Sequence, residues 1–476
     1  MNFLEITQTF KKLERTSKRL NKILILRDFL LKNPTTAPLI FDMISGNYQR
    51  EIDKKSVGIS LKTIFSILSF ISKKSEKEIE KEFNKNGDIG ETAMYCLSGE
   101  KQSSLFTHEL TINQITESFE KISKTSGTNS NKIKKEILGK LFLNSKTETE
   151  NKFLARLLID DLRIGVSEGV LREACVNTIF PKIIGIHQTC SKCFYINLNQ
   201  KKCPNCNENI NQSAQLEQFE NRFKIIEIGT PKEIIGLDNF IGKTDAEETL
   251  KFALRLNPKT HIISTQEPRQ FYKLFNELFE KKYNTLNSFT KILKDLKDNL
   301  PEIINVNIKY FRPIKSMLGI RSNTVEHSFE VSGIPAILDY KYDGLRVQIH
   351  AKKGEIQLFS RNLDNITKQF PEVIEFIKKN FPKKSFIMDS ETVGYDYDNQ
   401  KFLPFQMLSK RILSKKFEQV NHIKVVVKAF DLLKLENKTL IDKPYNKRRE
   451  MLENLFIQTP IREKIKFDLE LLKKIK

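Results

Sequence analysis

With 476 residues, the chain is long enough for two or three domains with sizeable cores. Its 80 Lys and Arg against 59 Asp and Glu give a formal net charge of +21, which suits a polyanionic partner such as nucleic acid, although a chain from an AT-rich genome accumulates lysine regardless of function. The N-terminus has no basic region followed by an apolar run, and the apolar run Ile64 to Ile71 is too short to span a membrane. These features argue against a secreted or membrane-spanning class and predict a cytoplasmic protein, expected to be a monomer.

Residues 1 to about 180 show the apolar spacing of helices. A first set of residues at this spacing comprises Leu13, Leu20, Ile23, Leu24, Phe29 and Leu30. Thr147 and Glu150 have the spacing of a capping box, which predicts the start of a helix. Cys96 and Cys175 stand singly in helical patterns and are expected to be buried thiols.

A tight turn around Gly165 joins two of the predicted helices. The backbone N–H groups of such a turn, together with Arg163, can hold a phosphate, but the pattern is also typical of an ordinary packing corner. The whole stretch from Phe153 to Ala174 closely resembles the helical DNA-binding domain of archaeal and eukaryotic ATP-dependent DNA ligases. In that family the domain encircles nicked duplex DNA through its minor groove. The resemblance implies that Arg156 and Arg163 bind DNA.

A short segment from Gln102 to Phe106 suggests a protein partner. It resembles the Gln-x-x-Phe-Phe motif with which archaeal ligases bind a sliding clamp. A polar loop with two apolar residues explains the segment equally well, so both interpretations stay open.

Four cysteines form two Cys-x-x-Cys pairs, which are Cys190 with Cys193 and Cys203 with Cys206. Paired knuckles of this kind predict tetrahedral thiolate coordination, usually of zinc, and four cysteines leave no open position for catalysis. The spacing between the knuckles is short, so a rubredoxin-like iron site stays open, whereas a disulfide is unfavourable in a cytosolic chain. We therefore expect a structural zinc-ribbon-like insertion at residues 187–210, which departs from the typical ligase.

Residues 207–310 are expected to complete the DNA-binding domain, which is therefore placed at 1–310. The next segment, Arg312 to Leu318, resembles the Arg-Pro-x-x-Pro-Met-Leu linker that opens the ligase adenylation domain, with Ser316 in place of the second proline. Residues 311–476 are then the adenylation domain. The predicted fold is multidomain: an all-α DNA-binding domain with a small zinc-ribbon insertion, followed by an α+β nucleotidyltransferase domain.

Apolar, β-rich runs predict the strands of this second domain, at 334–340, 345–351, 355–360, 385–394 and 424–433. Asp343 and Gly344 lie between the first two runs and are typical of a turn that joins paired strands. A hairpin is therefore expected from 334 to 351.

The residues at this turn, Lys341, Asp343, Gly344 and Arg346, form a Lys-x-Asp-Gly-x-Arg pattern. On so lysine-rich a chain, the pattern alone is as typical of a hairpin with charged flanks. It resembles the nucleotidyltransferase signature of ATP-dependent DNA ligases, RNA ligases and mRNA capping enzymes, in which the lysine amine attacks the nucleotide α-phosphate and holds the nucleotide as a phosphoramidate. Attack needs a deprotonated amine, and cations must neutralise the phosphates. Lys341 is the expected nucleophile, and Arg346 offers a donor fork to the nucleotide.

Three later blocks follow in the order of the same family. Arg361 resembles the arginine that contacts the ribose or phosphate, Glu391 the glutamate that serves the ribose and the metal, and Phe430 the aromatic residue that stacks on adenine. Taken singly, they are also explained as a surface arginine, a strand-edge charge and a core aromatic. Asp389 is expected on the same side of its strand as Glu391, and two carboxylates on one face suit Mg²⁺. Asp339, where the family has glutamate, is expected to contact adenine.

After Phe430 the sequence lacks the family's Glu-Gly-x-x-x-Lys block, its later lysine-rich strand and its oligonucleotide-binding barrel, so the adenylation domain is expected to be truncated. The resemblance implies an ATP- and Mg²⁺-dependent DNA ligase that seals 5′-phosphate/3′-hydroxyl nicks in duplex DNA during replication, repair and recombination. Two alternatives stay open: a catalytically impaired fragment that only binds duplex, and an RNA ligase or capping-type nucleotidyltransferase.

Overall fold

The structure is a computed structural model of the chain, and it describes residues 1–46, 48, 59–98, 109–125, 129–185, 187–189, 196–198, 208, 224–227, 253–265, 268–297, 299–317, 319–334, 336–413, 423–457, 468–469 and 473–474. The chain divides into two compact units. The first unit comprises Met1–Tyr283 with Ser288–Asn305, and the second comprises Asn284–Asn287 with Val306–Lys476.

Helices dominate the described part of residues 1–305, as predicted. In chain order they are α1 (Phe3–Glu14), α2 (Arg19–Lys32), α3 (Ala37–Ile44), α4 (Leu61–Ser72), α5 (Glu76–Asn86), α6 (Ile89–Cys96), α7 (Ile112–Lys124), α8 (Ser130–Asn144), α9 (Glu148–Leu158), α10 (Glu168–Ile179), α11 (Pro268–Leu286) and α12 (Phe289–Leu296). The predicted capping box is confirmed, because Thr147 accepts from the N–H of Glu150 and the Glu150 carboxylate accepts from the N–H of Thr147. Cys96 and Cys175 are buried, as expected.

Two apolar residues of the second helix are exposed to solvent. Leu20 and Leu24 are 72% and 46% exposed, although they share the apolar spacing of their neighbours. Helix α2 instead turns Ile23, Leu26 and Leu30 inward, each at most 3% exposed. These three positions, at intervals of three and four, are the buried stripe of the helix.

The first unit is not all-α. Strands β1 (Lys182–Gly185), β4 (Lys224–Glu227) and β5 (His261–Thr265) form a parallel sheet in the order β1-β5-β4. Strand β2 (His187–Thr189) pairs antiparallel with β3 (Ile196–Leu198). The prediction of a purely helical domain is therefore corrected to a helical unit that carries a small parallel sheet.

The second unit combines one large sheet with covering helices. Its elements are α13 (Val325–Ser332), β6 (Ile337–Leu338), β7 (Leu345–Lys352), β8 (Glu355–Ser360), α14 (Pro371–Asn380), β9 (Phe386–Asp396), β10 (Lys401–Phe402), α15 (Phe405–Leu413), β11 (Val425–Leu435), β12 (Lys438–Thr439), α16 (Tyr445–Ile457), β13 (Asp468–Leu469) and β14 (Lys473–Lys474). The sheet has the order β12-β11-β9-β7-β8, with β10 on β9 and β13 on β11. A helical region followed by a sheet-containing unit is thus the architecture that the sequence predicts.

The two faces of this sheet differ in chemistry. One face joins an apolar core with the covering helices, and its members include Val347, Ile349, Met388, Val427, Leu432, Phe376, Leu408 and Leu452. The opposite face carries polar side chains at the alternate positions of the same strands. The apolar face anchors the strands, so that the polar face can present a fixed set of charges.

The predicted hairpin from 334 to 351 is wrong. Strand β6 is only two residues long, and it pairs with β14 rather than with β7. Strand β7 pairs instead with β8 and β9. Asp343 and Gly344 therefore lead into the sheet from a loop, which leaves Lys341 exposed to solvent. Among the described helices, none is both long enough and apolar enough to cross a membrane.

Candidate active site

A cavity of about 530 Å³ in the second unit collects residues that lie far apart in the sequence. The six residues predicted to hold the nucleotide all line it: Asp339, Lys341, Arg346, Arg361, Glu391 and Phe430. Ser316 and Met317 also line the cavity, as does Lys428. The structure thus brings together in one place every position of the predicted nucleotide site.

Three charged side chains form one row across the sheet. Arg346 of β7 lies opposite Glu391 of β9, and Glu391 lies opposite Lys428 of β11. Burial raises the pKa of the Glu391 carboxyl, and the positive charge of Lys341 is the largest influence that opposes the rise. Arg346 and Arg361 oppose it as well. The cavity therefore concentrates cations around a single half-buried carboxylate, an arrangement suited to a phosphate-bearing ligand with a metal ion.

Gly344 allows the loop to approach this carboxylate closely. A Cβ atom at position 344 would lie 2.6 Å from the carbonyl oxygen of Thr392 and 2.9 Å from Cγ of Glu391. The backbone N–H of Gly344 donates to the Glu391 carboxylate. A residue with any side chain would push the loop, and with it Lys341, away from Glu391.

A β-bulge presents Phe430 to the cavity. Ala429 pairs with Ser390 and Asp431 pairs with Asp389, so Phe430 is the extra residue of β11 at this point. Its ring is half-buried, and the guanidinium carbon of Arg346 lies 5.6 Å from the ring centre. The phenylalanine thus offers an aromatic surface beside the cations of the cavity.

Asp389 does not serve the role expected from its position. It shares the face of β9 with Glu391, but it is 2% exposed and its carboxylate accepts hydrogen bonds from Arg346 and from Nε2 of Gln348. Burial raises its pKa, and Arg346 opposes the rise. Because both carboxylate oxygens are engaged, the expectation of two metal-binding carboxylates is corrected to one, Glu391.

A second cavity, of about 540 Å³, lies in the first unit at the predicted helix corner. Arg19, Lys22 and Arg163 line it beside the turn that precedes α10. The ammonium of Lys22 donates to the carbonyl oxygens of Ile164 and Gly165, each at 2.7 Å. This buried side chain thereby stabilises the turn. The Arg163 side chain is 42% exposed and ion-pairs with Asp161 at 2.8 Å. The cavity is therefore lined by the guanidinium groups of Arg19 and Arg163 together with the carboxyl residues Asp160 and Asp161.

Arg156, by contrast, is not placed to contact DNA. Its side chain is 3% exposed, and its guanidinium ion-pairs with Asp88 at 2.6 Å and with Glu14 at 2.8 Å. It also donates to the carbonyl oxygen of Leu162. Direct DNA binding by Arg156 does not fit this burial, and the geometry gives it the role of supporting the turn that carries Arg163.

Two family matches cover most of the chain. The family described as DNA ligase N terminus matches residues 2–175, and the family described as ATP dependent DNA ligase domain matches residues 316–473. The second match contains every residue of the first cavity that the sequence singled out. The chain belongs to the ATP-dependent DNA ligase family.

Curated archaeal relatives extend the likeness across both units. The DNA ligase of Nanoarchaeum equitans is 26% identical over 461 residues, which are 96% of this chain and 64% of the relative. The DNA ligase of Thermococcus onnurineus is 24% identical over 96% of this chain and 65% of its own length. That of Methanococcus maripaludis is 26% identical over 96% of this chain and 64% of its own. The chain therefore spans somewhat less than two thirds of these relatives.

The sequence interpretation missed three residues that line the first cavity or lie behind it. Lys428 lines the cavity at 8% exposure, with its ammonium 5.4 Å from the centre of the Tyr342 ring. Gln348 and His350 lie behind Arg346, at alternate positions of the same strand. A signal was present for Gln348 and His350, because polar residues alternate with apolar ones from Leu345 to Ala351, whereas no such alternation surrounds Lys428.

Two predicted sites lie outside the described residues. These are the cysteine cluster Cys190, Cys193, Cys203 and Cys206 and the clamp-binding segment Gln102 to Phe106. Within the part of the chain that the structure describes, no group of three or more His, Cys, Asp or Glu side chains is arranged to hold a metal. The zinc and clamp predictions stay predictions.

Proposed function

We propose that this chain seals 5′-phosphate/3′-hydroxyl nicks in duplex DNA with ATP, through a covalent Lys341–AMP intermediate. The observation that carries the proposal is the convergence of Lys341, Arg346 and Glu391 with Phe430 around one cavity in a unit that matches the ATP-dependent DNA ligase domain. The four cations that line the cavity, Lys341, Arg346, Arg361 and Lys428, favour a nucleoside triphosphate, and the aromatic ring favours a base.

The proposed chemistry proceeds in three transfers. The Nζ of Lys341 attacks the α-phosphorus of ATP, so that a P–N bond forms and the bond to pyrophosphate breaks. An oxygen of the nick 5′-phosphate then attacks the same phosphorus, which releases the lysine and joins AMP to the DNA. The 3′-hydroxyl finally attacks the 5′-phosphate, and AMP leaves. Arg346 and Arg361 stabilise charge on the phosphates or orient the ribose, and Asp339 contacts the adenine.

The donor set of the cavity fits Mg²⁺. Glu391 supplies one carboxylate that is half-buried, is surrounded by cations and faces the cavity. Mg²⁺ typically takes one or two carboxylates together with substrate phosphates. When bound, it would neutralise phosphate charge and thereby make the α-phosphorus easier to attack.

The helical unit supplies the proposed duplex contact. Arg163, Arg19 and Lys22 line a cavity next to the N-terminus of α10, and these basic groups together with the helix N-terminus suit a DNA phosphate. We propose residues 1–310 as the DNA-binding domain and 311–476 as the adenylation domain. Cys190, Cys193, Cys203 and Cys206 are proposed to bind a structural zinc ion, and the segment Gln102 to Phe106 is proposed to bind a sliding clamp.

Incubation of the purified chain with α-labelled ATP, Mg²⁺ and a nicked duplex tests the proposal. The expected products are labelled protein, AMP-capped nicked DNA and a sealed strand. Labelled protein without sealing would support the nucleotidyltransferase but contradict nick sealing by this chain. Absence of label on the protein would contradict the proposed function.

A further inference from the structure

Three polar side chains of β7 extend away from the cavity along one face of the sheet. Arg346, Gln348 and His350 occupy alternate positions, so their side chains lie on one face of the sheet. Arg346 reaches the cavity, whereas Gln348 and His350 are 4% and 0% exposed and do not line it. Buried polar groups require partners, and the partners of these two residues connect the cavity to the segment that enters the unit.

The imidazole of His350 has a defined hydrogen position. Its Nδ1 accepts a hydrogen bond from the backbone N–H of Phe311 at 2.9 Å, so the ring hydrogen resides on Nε2. Nε2 then donates to Oε1 of Gln348, also at 2.9 Å. Burial lowers the pKa of His350 to about 3, which keeps the ring neutral at physiological pH.

The amide of Gln348 is oriented by its two donors. Oε1 accepts from His350 and from the backbone N–H of Ile314, the latter at 2.8 Å. The amide nitrogen is therefore directed the other way, and it donates to Oδ1 of Asp389 at 3.1 Å. The reverse orientation would place an amide N–H against the Ile314 N–H.

Asp389 links Gln348 to Arg346, which lines the cavity. Its second oxygen, Oδ2, accepts from Nη2 of Arg346. One side of the guanidinium is thereby fixed, while Arg346 still lines the cavity beside Phe430. A cation held in place before the ligand arrives loses less freedom on binding.

His350 and Gln348 also fix the chain segment 311–314. The backbone N–H of Phe311 donates to His350, and that of Ile314 donates to Gln348. The chain then continues to Ser316 and Met317, which line the cavity. The position of this wall of the cavity and the position of Arg346 therefore depend on the same two side chains.

We propose that His350 and Gln348 are positioning residues for the nucleotide, which act through Asp389 to hold Arg346 and the adjoining wall in the geometry that binds ATP. The inference rests on the proposed function, since it assigns Arg346 to the nucleotide. A role limited to folding would lower stability in variants of these residues but would leave nucleotide affinity unchanged in the variants that fold.

The test compares binding of α,β-methylene-ATP, an analogue that cannot transfer AMP, to the full chain and to two variants. His350→Phe keeps the ring volume but removes both hydrogen bonds, whereas His350→Gln restores an acceptor and a donor. The dissociation constant should rise about three- to tenfold in His350→Phe, as expected for the loss of one or two hydrogen bonds, and should stay within about twofold of the original in His350→Gln. Thermal melting confirms that each variant is folded.

If His350→Phe does not fold, Gln348→Met gives the same comparison with a side chain of similar length. A folded variant that lacks the hydrogen bonds and still binds the analogue with unchanged affinity would overturn the inference. The proposed function is checked separately by transfer of label from α-labelled ATP to the unmodified chain. Labelling of that chain together with unchanged binding in the variants would leave the proposed function standing and the inference refuted. Absence of both binding and labelling in the unmodified chain would refute both.

Discussion

Arg156 donates two hydrogen bonds to the carboxylate of Asp88, from Nε at 3.1 Å and from Nη2 at 2.6 Å. The two residues are 68 positions apart, on α9 and at the start of α6. Arg163, only seven residues beyond Arg156, has a side chain that is 42% exposed. Two arginines of the same short stretch therefore serve different purposes.

Arg156→Leu should lower the free energy of unfolding by about 3–5 kcal/mol, because it removes the two hydrogen bonds to the buried Asp88 carboxylate and leaves only the more distant Arg163, at 3.7 Å, to compensate that charge. Arg163→Ala, the matched control, should change stability by no more than about 0.5 kcal/mol but should weaken duplex binding, with a salt dependence reduced by about one phosphate contact. Thermal melting and binding to a nicked duplex at several salt concentrations measure the two effects. Equal stability of the two variants would contradict the assignment.

The pH dependence of stability should reveal His350. The unfolded chain protonates this residue near its ordinary pKa of 6.5, whereas burial holds the pKa in the folded state at about 3. The stability that the neutral ring contributes is complete above pH 6.5 and is lost as the pH falls toward 3, at up to about 1.4 kcal/mol per pH unit. Comparison of unfolding between pH 6.5 and 4.5 should show a shallower decline in His350→Gln. The exposed His327→Gln should follow the unmodified chain, and identical slopes for all three proteins would refute the prediction.

Phe430 should contribute to nucleotide affinity by stacking. Phe430→Ala should raise the ATP concentration for half-maximal AMP attachment by roughly 5- to 150-fold, which corresponds to the 1–3 kcal/mol of a base stacked on an aromatic ring. Phe70→Ala, at a position that is 85% exposed in the first unit, is the control and should leave this concentration unchanged. A Phe430→Ala variant with unaltered half-saturation would show that the ring is only a core residue.

The cysteine cluster should bind one zinc or iron ion per chain. Cys190→Ser should lose the metal and lower thermal stability more than it lowers AMP attachment, because thiolate ligation is coupled to folding rather than to the chemistry. Cys96→Ser, which alters a buried thiol of the helical unit, should keep the metal content unchanged. Elemental analysis decides the matter, and a disulfide in place of zinc and iron would contradict the prediction.

Local sequence patterns predicted the positions of the strands better than they predicted which strands pair. The apolar runs at 345–351, 355–360, 385–394 and 424–433 correspond to β7, β8, β9 and β11, since alternation and β-branched content are local properties. The pairing of β6 with β14 joins residues more than a hundred positions apart, and no local signal encodes such a contact.

For the candidate site, likewise, the sequence predicted the residues but not their contacts. Motif order predicted which residues would converge, but it did not predict that Asp389 is engaged by Arg346 or that a bulge turns Phe430 toward the cavity. The burial of Arg156 was missed for a related reason, because its partner Asp88 lies 68 positions earlier, at the start of α6. Charge compensation across distant elements is visible only in the folded structure.

The central claim, that Lys341 forms the covalent bond to AMP, is tested most directly by mass spectrometry of the chain after incubation with ATP and Mg²⁺. Peptide mapping should find AMP on Lys341, and Lys341→Ala should carry no AMP. This variant should bind nicked duplex with nearly unchanged affinity, since we propose that basic contacts in the helical unit supply most of that affinity. The neighbouring Lys428→Met should reduce the rate of attachment without abolishing it, because its ammonium lines the cavity but is not the nucleophile. AMP on a different residue, or undiminished labelling of Lys341→Ala, would contradict the account.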